Sequence, residues 1–184
     1  MTIDSLKNGQ EKIFKIEDAK PEDIERTMAI ARDAWLEIYP NETFQINRED
    51  IEAIDWFNPD KLEKRRQKTI GKPDTHTWVV KDEKDNVVGF CKVSKEGPQE
   101  QKEIDAMFIV KEFTGKGLGK RLMEKALDWF GANGDIKLEV VSYNFNAINF
   151  YKRFGFKETT NPVGNKQPQL PSGKIIPRIV MVRS

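Results

Sequence analysis

The chain is short of the residues that many catalytic and metal-binding sites draw on. Its 184 residues include one cysteine, Cys91, and one histidine, His76. A single thiol excludes an internal disulfide and a cysteine-based metal cluster, and it fits a reducing, cytoplasmic setting. Cys91 reads as a small buried hydrophobe. His76 precedes a strand with no Ser, Cys or carboxylate motif beside it, so it offers neither a triad nor a ligand set, and no metal is expected. No apolar run approaches the roughly 18 residues of a membrane span. Met1 to Lys12 is polar and lacks the apolar stretch of a leader peptide. Charge of one sign is missing too. Lys and Arg total 31 against 30 Asp and Glu, a net +1, so neither nucleic acid nor a membrane surface is an expected partner.

What is present suits one globular domain. Hydrophobic residues make up 38% and charged residues 33%, an ordinary soluble balance, and the length allows a real core. Residues 1–12 read as a polar tail and 13–184 as a single domain. Ile13, Phe14 and Ile16 suggest a first strand. Pro21 suits a helix start, and Ile24, Met28, Ala31, Trp35 and Ile38 form one apolar stripe at spacings of three and four. Asn47 with Asp50 predicts a cap for a short second helix. Asn58-Pro59 opens a third, carrying Leu62, Arg65, Arg66 and Ile70 and closed by Gly71 and Pro73. Residues 77–81 and 87–93 predict a hairpin around the polar Asp82–Asn86 turn, and Gly97-Pro98 leads to a strand over 104–110. After a glycine turn, a helix runs to about Ala132, a strand covers 136–141 and a short helix covers 146–153. Strands over 156–159 and 175–182 follow, separated by a proline-rich loop. Because a helix joins the strands at 104–110 and 136–141, that pair is expected to be parallel. The fold class is α/β, or α+β, with a mixed sheet.

The stretch Gly115-Lys116-Gly117-Leu118-Gly119-Lys120 stands between strand and helix, the sequence form of an anion site. Glycine permits the dihedrals of a tight turn and close approach of amides, and a helix N-terminus adds unpaired N–H donors. Lys116 and Lys120 add cations. The P-loop pattern fails, because Arg121 follows Gly119-Lys120 and Thr114 stands where its first glycine belongs. The dinucleotide pattern fails as well, its third glycine arriving one residue early.

A shorter pyrophosphate loop remains, and here the residues match a known family. Phe108 to Leu122 resembles the acetyl-CoA segment of the GCN5-related N-acetyltransferases (GNAT), written Q/R-x-x-G-x-G/A. Asn144-Phe145-Asn146-Ala147-Ile148-Asn149-Phe150-Tyr151-Lys152-Arg153-Phe154-Gly155-Phe156 resembles its second signature, N-x-x-A-x-x-L/F-Y-x-x-x-G-F. Thr114 departs from the pattern, which has Gln or Arg there. The resemblance implies an acyl-CoA N-acyltransferase fold, a central sheet of about seven strands with helices on both faces. It implies acetyl transfer from acetyl-CoA to a primary amine by direct attack in a ternary complex. Met107, Phe108 and Ile109 would meet the pantetheine arm, Gly115, Lys116, Gly117, Leu118, Gly119 and Lys120 the pyrophosphate, and Asn144 the cofactor arm. Tyr151 falls at the general-acid position, where a phenol of pKa about 10 can protonate the leaving thiolate. Glu139 falls where some members place a base, with Glu103 and Asp105 as further candidates. As plain structure, Tyr151 would be a packed aromatic and Glu139 a paired surface acid.

The acceptor is less defined: a small amine, a polyamine or a peptide N-terminus. Residues 33–55 hold seven acids (Asp33, Glu37, Glu42, Glu49, Asp50, Glu52, Asp55) against Arg48 alone. That rim would attract a polycation, and the region is loosely similar to bacterial spermidine/spermine N-acetyltransferases. Solvated helix faces explain the same pattern. A homodimer is left open. The alternative function is a non-catalytic CoA-binding sensor or interaction module of the same fold.

Overall fold

The computed structural model describes residues 14–69, 72–97, 101–159 and 168–184. The polar tail at 1–12, Ile13, the helix end at Ile70-Gly71, Pro98 and the first part of the proline-rich loop, with Pro162, lie outside the described residues. The elements run β1 (Lys15–Asp18), a 3-10 turn (Pro21–Asp23), α1 (Ile24–Ile38), α2 (Arg48–Glu52), α3 (Pro59–Thr69), β2 (Thr75–Lys81), β3 (Val87–Glu96) and β4 (Gln101–Ile109). A second 3-10 turn (Lys111–Phe113) leads to α4 (Leu118–Phe130), β5 (Ile136–Val141), α5 (Phe145–Lys152), β6 (Lys157–Glu158) and β7 (Arg178–Arg183). The strands form one seven-stranded sheet in the order β1-β2-β3-β4-β5-β7-β6.

Alternation along the strands sends side chains to two layers. Trp78, Val80, Cys91, Val93, Ile104 and Leu138 meet Leu118, Leu122, Met123, Ala126 and Phe130 of α4 and Ile148 of α5 on one face. Val79, Val87 and Phe90 meet Ile30 and Ala31 of α1 on the other. Burying each large apolar side chain is worth about 1.5–3 kcal/mol, so the α4 stripe is a major anchor. At its C-terminus the buried Lys102 ammonium donates to the carbonyl oxygens of Phe130 (2.7 Å) and Asn133, satisfying acceptors that a helix end leaves open. The expected cap of α2 is present, with the Asn47 N–H donating to Asp50 Oδ2 at 2.7 Å.

Two expected boundaries move for local reasons. Pro21 opens a 3-10 turn, and the α-helix begins three residues later. The last strand begins at Arg178 instead of Ile175, because Pro177 has no N–H to give a ladder. Pro177 instead accepts from the Ser142 N–H (3.0 Å), while Ile175 makes an isolated bridge with Gln169.

The junction of β4 and β5 positions the site. Both strands are parallel, as expected, and paired from Lys102↔Ile136 to Ile104↔Leu138. The β3–β4 register then slips between Lys92↔Ala106 and Val93↔Ile104, leaving Asp105 as an extra residue on β4. Such a bulge bends and twists its strand. From Asp105 onward β4 continues only along β3, as far as Gly89↔Ile109. The sheet therefore opens between Asp105–Ile109 and Glu139–Val141.

Candidate active site

Two concavities meet at this opening. A groove of about 1170 Å³ lies on the α4–α5 side, lined by Met107, Ile109, Thr114, the glycine turn, one face of α5 from Asn146 to Tyr151, and Arg153 and Phe154 just after it. A cavity of about 490 Å³ lies between α1 and the sheet. Met107, Ile109, Thr114, Asn146, Ala147 and Tyr151 line both.

The groove's floor is the glycine turn. Gly115 and Gly117 have φ of +74° and +76°, where a side chain strains the backbone, and a Cβ on either would meet nothing within 4 Å. Conformation, not crowding, demands glycine here, and the space beside these residues is open. Gly117 caps α4, so the first N–H groups of the helix lack helical acceptors and face the groove end where Leu118, Gly119 and Lys120 lie. Lys120 and Arg153 are cations of the lining, and among the described residues no Asp or Glu joins them. That donor set fits a phosphate-bearing ligand. Lys116 is exposed and stands outside the lining. Thr114, where the pattern has Gln or Arg, turns its hydroxyl back to donate to the Lys111 carbonyl at 2.8 Å, closing the 3-10 turn.

Met107 and Ile109 line the groove, whereas Phe108 lines the cavity, its ring 5.7 Å from that of Phe90. Asn144 is the N-cap of α5, its side-chain oxygen accepting from the Ala147 N–H at 3.2 Å, and it lines the cavity. Tyr151 extends from α5 to the join of groove and cavity. Its ring lies 5.4 Å from Phe150 and 6.0 Å from Phe156 between centroids. Burial, with smaller contributions from Cys91 and Tyr39, pushes its phenol well above the ordinary value. Tyr151 is thus a packed aromatic that also lines both concavities.

Glu139 reaches the cavity from β5, little exposed, with Lys137 Nζ at 3.2 Å and Arg178 at 3.6 Å. Asp105, the bulged residue, also lines the cavity; Lys92 Nζ lies 3.0 Å from it and the Ser94 hydroxyl donates to it at 3.0 Å. Glu103 sits behind, 3.8 Å from Lys137, and is not in the lining. His76 pairs with Asp18 (2.9 Å) and stacks on Trp78 at 4.3 Å, away from both concavities. Cys91 is fully buried, and desolvation raises its thiol pKa.

The cavity also holds residues that sequence reasoning did not single out as functional. Ile24, Met28, Ala31, Trp35 and Ile38, read as a core stripe, all line it. Trp56, Tyr39, Arg65, Lys92 and Arg178 complete its walls from other elements. Trp35 is tilted against Tyr39 (4.3 Å) and edge-on to Trp56 (5.1 Å), and the Arg178 guanidinium sits 5.7 Å from the Trp35 ring. Burial raises the Tyr39 phenol to about 12, partly countered by Arg178. None of the seven acids of residues 33–55 lines the cavity. Asp33 pairs with Arg32, Glu37 with Lys111, Asp50 with Lys174 and Glu52 with Arg48.

Among the described residues, no group of three or more His, Cys, Asp or Glu is placed to hold a metal ion, and no helix is long and apolar enough to cross a membrane.

Comparison with known proteins agrees with this geometry. The peptidyl-lysine N-acetyltransferase YjaB of Salmonella typhimurium is 37% identical over 87 residues, 47% of this chain and 54% of that protein. The chain spans about half the length of these curated relatives. Among solved structures, the PaiA N-acetyltransferase of Thermoplasma acidophilum, in complex with coenzyme A, superposes with a TM-score of 0.66 at 19% identity, covering 94% of this chain and 99% of that one. The spermidine N-acetyltransferase of Vibrio cholerae, in complex with CoA and spermine, gives 0.66 at 21% identity over 92% and 94%. These two likenesses show a shared fold. The model of the acetyltransferase (GNAT) family matches residues 24–156, most of the chain and every element that lines the groove. The chain belongs to the acetyltransferase (GNAT) family.

Proposed function

We propose that the protein is an acetyl-CoA-dependent N-acetyltransferase that moves an acetyl group to a primary amine. The observation that carries this reading is the join itself: an acid-free groove floored by positive-φ glycines opens, through a parted sheet, onto a separate cavity, with Tyr151 in both linings. A donor and an acceptor entering from opposite sides would meet there. Holding two reactants in contact is worth a large part of a group-transfer barrier.

Acetyl-CoA supplies the activated acetyl group. The chain's residues supply position and proton management. Gly115, Gly117, Leu118, Gly119 and Lys120 hold the pyrophosphate by backbone amides and one ammonium, with Lys116 adding charge from outside the groove. The β4 edge from Asp105 to Ile109 has no ladder partner on the β5 side, so Met107, Phe108 and Ile109 offer backbone donors and acceptors to the pantetheine amides, in the manner of an added strand. An N–H of this edge serves the developing negative charge on the thioester oxygen. Asn144 orders the start of α5, and so acts on the cofactor arm through the position of that helix.

Tyr151 is the general acid. Its raised pKa keeps the proton on the phenol across the working pH range, ready for a departing thiolate. Glu139 is the carboxylate placed to take the proton that an attacking ammonium must lose, directly or through water. Lys137 and Arg178 fix its orientation.

An isotherm for acetyl-CoA together with thiol release over a panel of amines tests the reading. Binding with release supports it. Absence of acetyl-CoA binding refutes it, and binding without release for any amine supports a sensor instead.

A further inference from the structure

The cavity's lining divides by element. Its helical wall is apolar, with Ile24, Met28, Trp35 and Ile38 from α1 and Trp56 from the segment after α2. Thr27 is the one polar side chain that α1 brings to the lining, and its hydroxyl donates to the Ile24 carbonyl at 2.7 Å. The Trp56 indole N–H is likewise engaged, donating to the Ile51 carbonyl at 3.1 Å. The two carboxylates of the lining stand elsewhere, Asp105 on β4 and Glu139 on β5, the strands that border the opening. Among the described residues, no Asp or Glu before Asp105 lines the cavity.

An ammonium placed against the helical wall would lose water and find no carboxylate there, which is costly. The Arg178 guanidinium already lies 5.7 Å from the Trp35 ring, so a second cation beside that ring would meet a like charge. An uncharged apolar group gains at the same place by leaving water. The volume, about 490 Å³, is that of a small-molecule pocket.

We infer that the acceptor is a compact monoamine with an uncharged apolar body on the scale of one aromatic ring. The body lies against Trp35, Trp56 and the α1 stripe, and the amine faces the opening in the sheet, where Glu139 and Tyr151 stand. This rests on the cavity being the acceptor site of the proposed transferase.

Phenethylamine against ethylamine tests it, a pair that differs only in the ring, with spermidine as the polycationic comparison. Thiol release gives kcat/KM, and a saturable change in tryptophan emission gives binding without turnover, since Trp35 and Trp56 line the cavity. Phenethylamine is expected to lead ethylamine by at least roughly tenfold, mostly through KM, as burial of one ring allows. Two variants address the wall: Trp35→Ala removes part of it, and Ala34→Phe adds a ring to the same lining. Narrowing of the lead by at least about threefold in either folded variant upholds the inference. Equal use of the two amines, a lead for spermidine, or a lead that neither variant narrows overturns it. Should neither variant fold, the wild-type comparison decides. Absence of thiol release with every amine counts against the transferase reading, and tryptophan emission then decides alone. Tighter binding of phenethylamine than of ethylamine and spermidine upholds the apolar site, and any other order, or no binding, overturns it.

Discussion

Replacing Tyr151 with Phe removes one oxygen from the point where groove and cavity meet. The ring keeps its edge contacts with Phe150 and Phe156, so folding stability should change by no more than about 1 kcal/mol. The chemical effect should be far larger. A positioned general acid contributes about 10²- to 10⁴-fold, which corresponds to about 3–5 kcal/mol of barrier. Steady-state thiol release should therefore show kcat falling in that range, with the acetyl-CoA dissociation constant nearly unchanged.

The pH dependence carries a second, independent check. Burial raises the Tyr151 pKa, so the wild-type rate should lose nothing to this group's ionisation up to its ordinary value of about 10. Stability has a definite sign as well. Above about pH 10 the unfolded chain releases this proton while the folded chain still holds it. By linkage, wild-type stability then declines with rising pH, and this component is absent from the Phe variant. Retention of more than half of kcat by Tyr151→Phe would refute the acid role. So would a wild-type alkaline limb below pH 10 that the substitution removes.

Other perturbations follow from single contacts. Gly117→Ala places a side chain at φ +76° and should cost about 1–2 kcal/mol, while weakening acetyl-CoA binding more than it slows a saturated enzyme; an unchanged isotherm would contradict the cradle. Gly89→Ala brings a Cβ within 2.9 Å of the Phe108 carbonyl oxygen, so β4 must shift; a loss of about 1–3 kcal/mol and a raised KM for acetyl-CoA are expected from melting and kinetics. Lys102→Met strands the Phe130 and Asn133 carbonyls and should destabilise by about 1–3 kcal/mol in denaturant titration, with kcat nearly intact. Asp50 is held at about 2 by hydrogen bonds from Lys174, the Asn47 N–H and Ser172. Its contribution is therefore present above about pH 4 and lost as pH falls toward 2, and the melting temperatures of wild type and Asp50→Asn should converge over that window.

The groove was legible because its parts are contiguous. The glycine turn and the first turn of α4 lie within six residues of each other, and Asn144 and Tyr151 sit on one short helix. Local rules for turns and helix starts apply directly to such strings. The opening between β4 and β5 was not legible. It depends on Asp105 being extra in the β3–β4 register, and a bulge leaves no mark on the apolar pattern of Ile104 to Val110. The pairing of the acidic segment was not legible for a similar reason. Residues 33–55 are acidic as a segment, but Glu37 meets Lys111, 74 positions away, and Asp50 meets Lys174, 124 positions away. Only the fold brings those partners together.

The same contrast separates what family membership can tell from what it cannot. The groove works through backbone: positive-φ glycines, the amides of a helix start and an unpaired strand edge. Such features persist under side-chain change, which is why a likeness of about one-fifth identity can keep the whole fold. The cavity works through side chains contributed singly by distant elements, Trp35, Trp56, Arg65 and Arg178 among them. Each can change without disturbing the sheet, so the cavity's lining can drift while the groove's backbone stays fixed. For this chain, the lining of the cavity therefore has to be read from its own side chains and not from the shared fold.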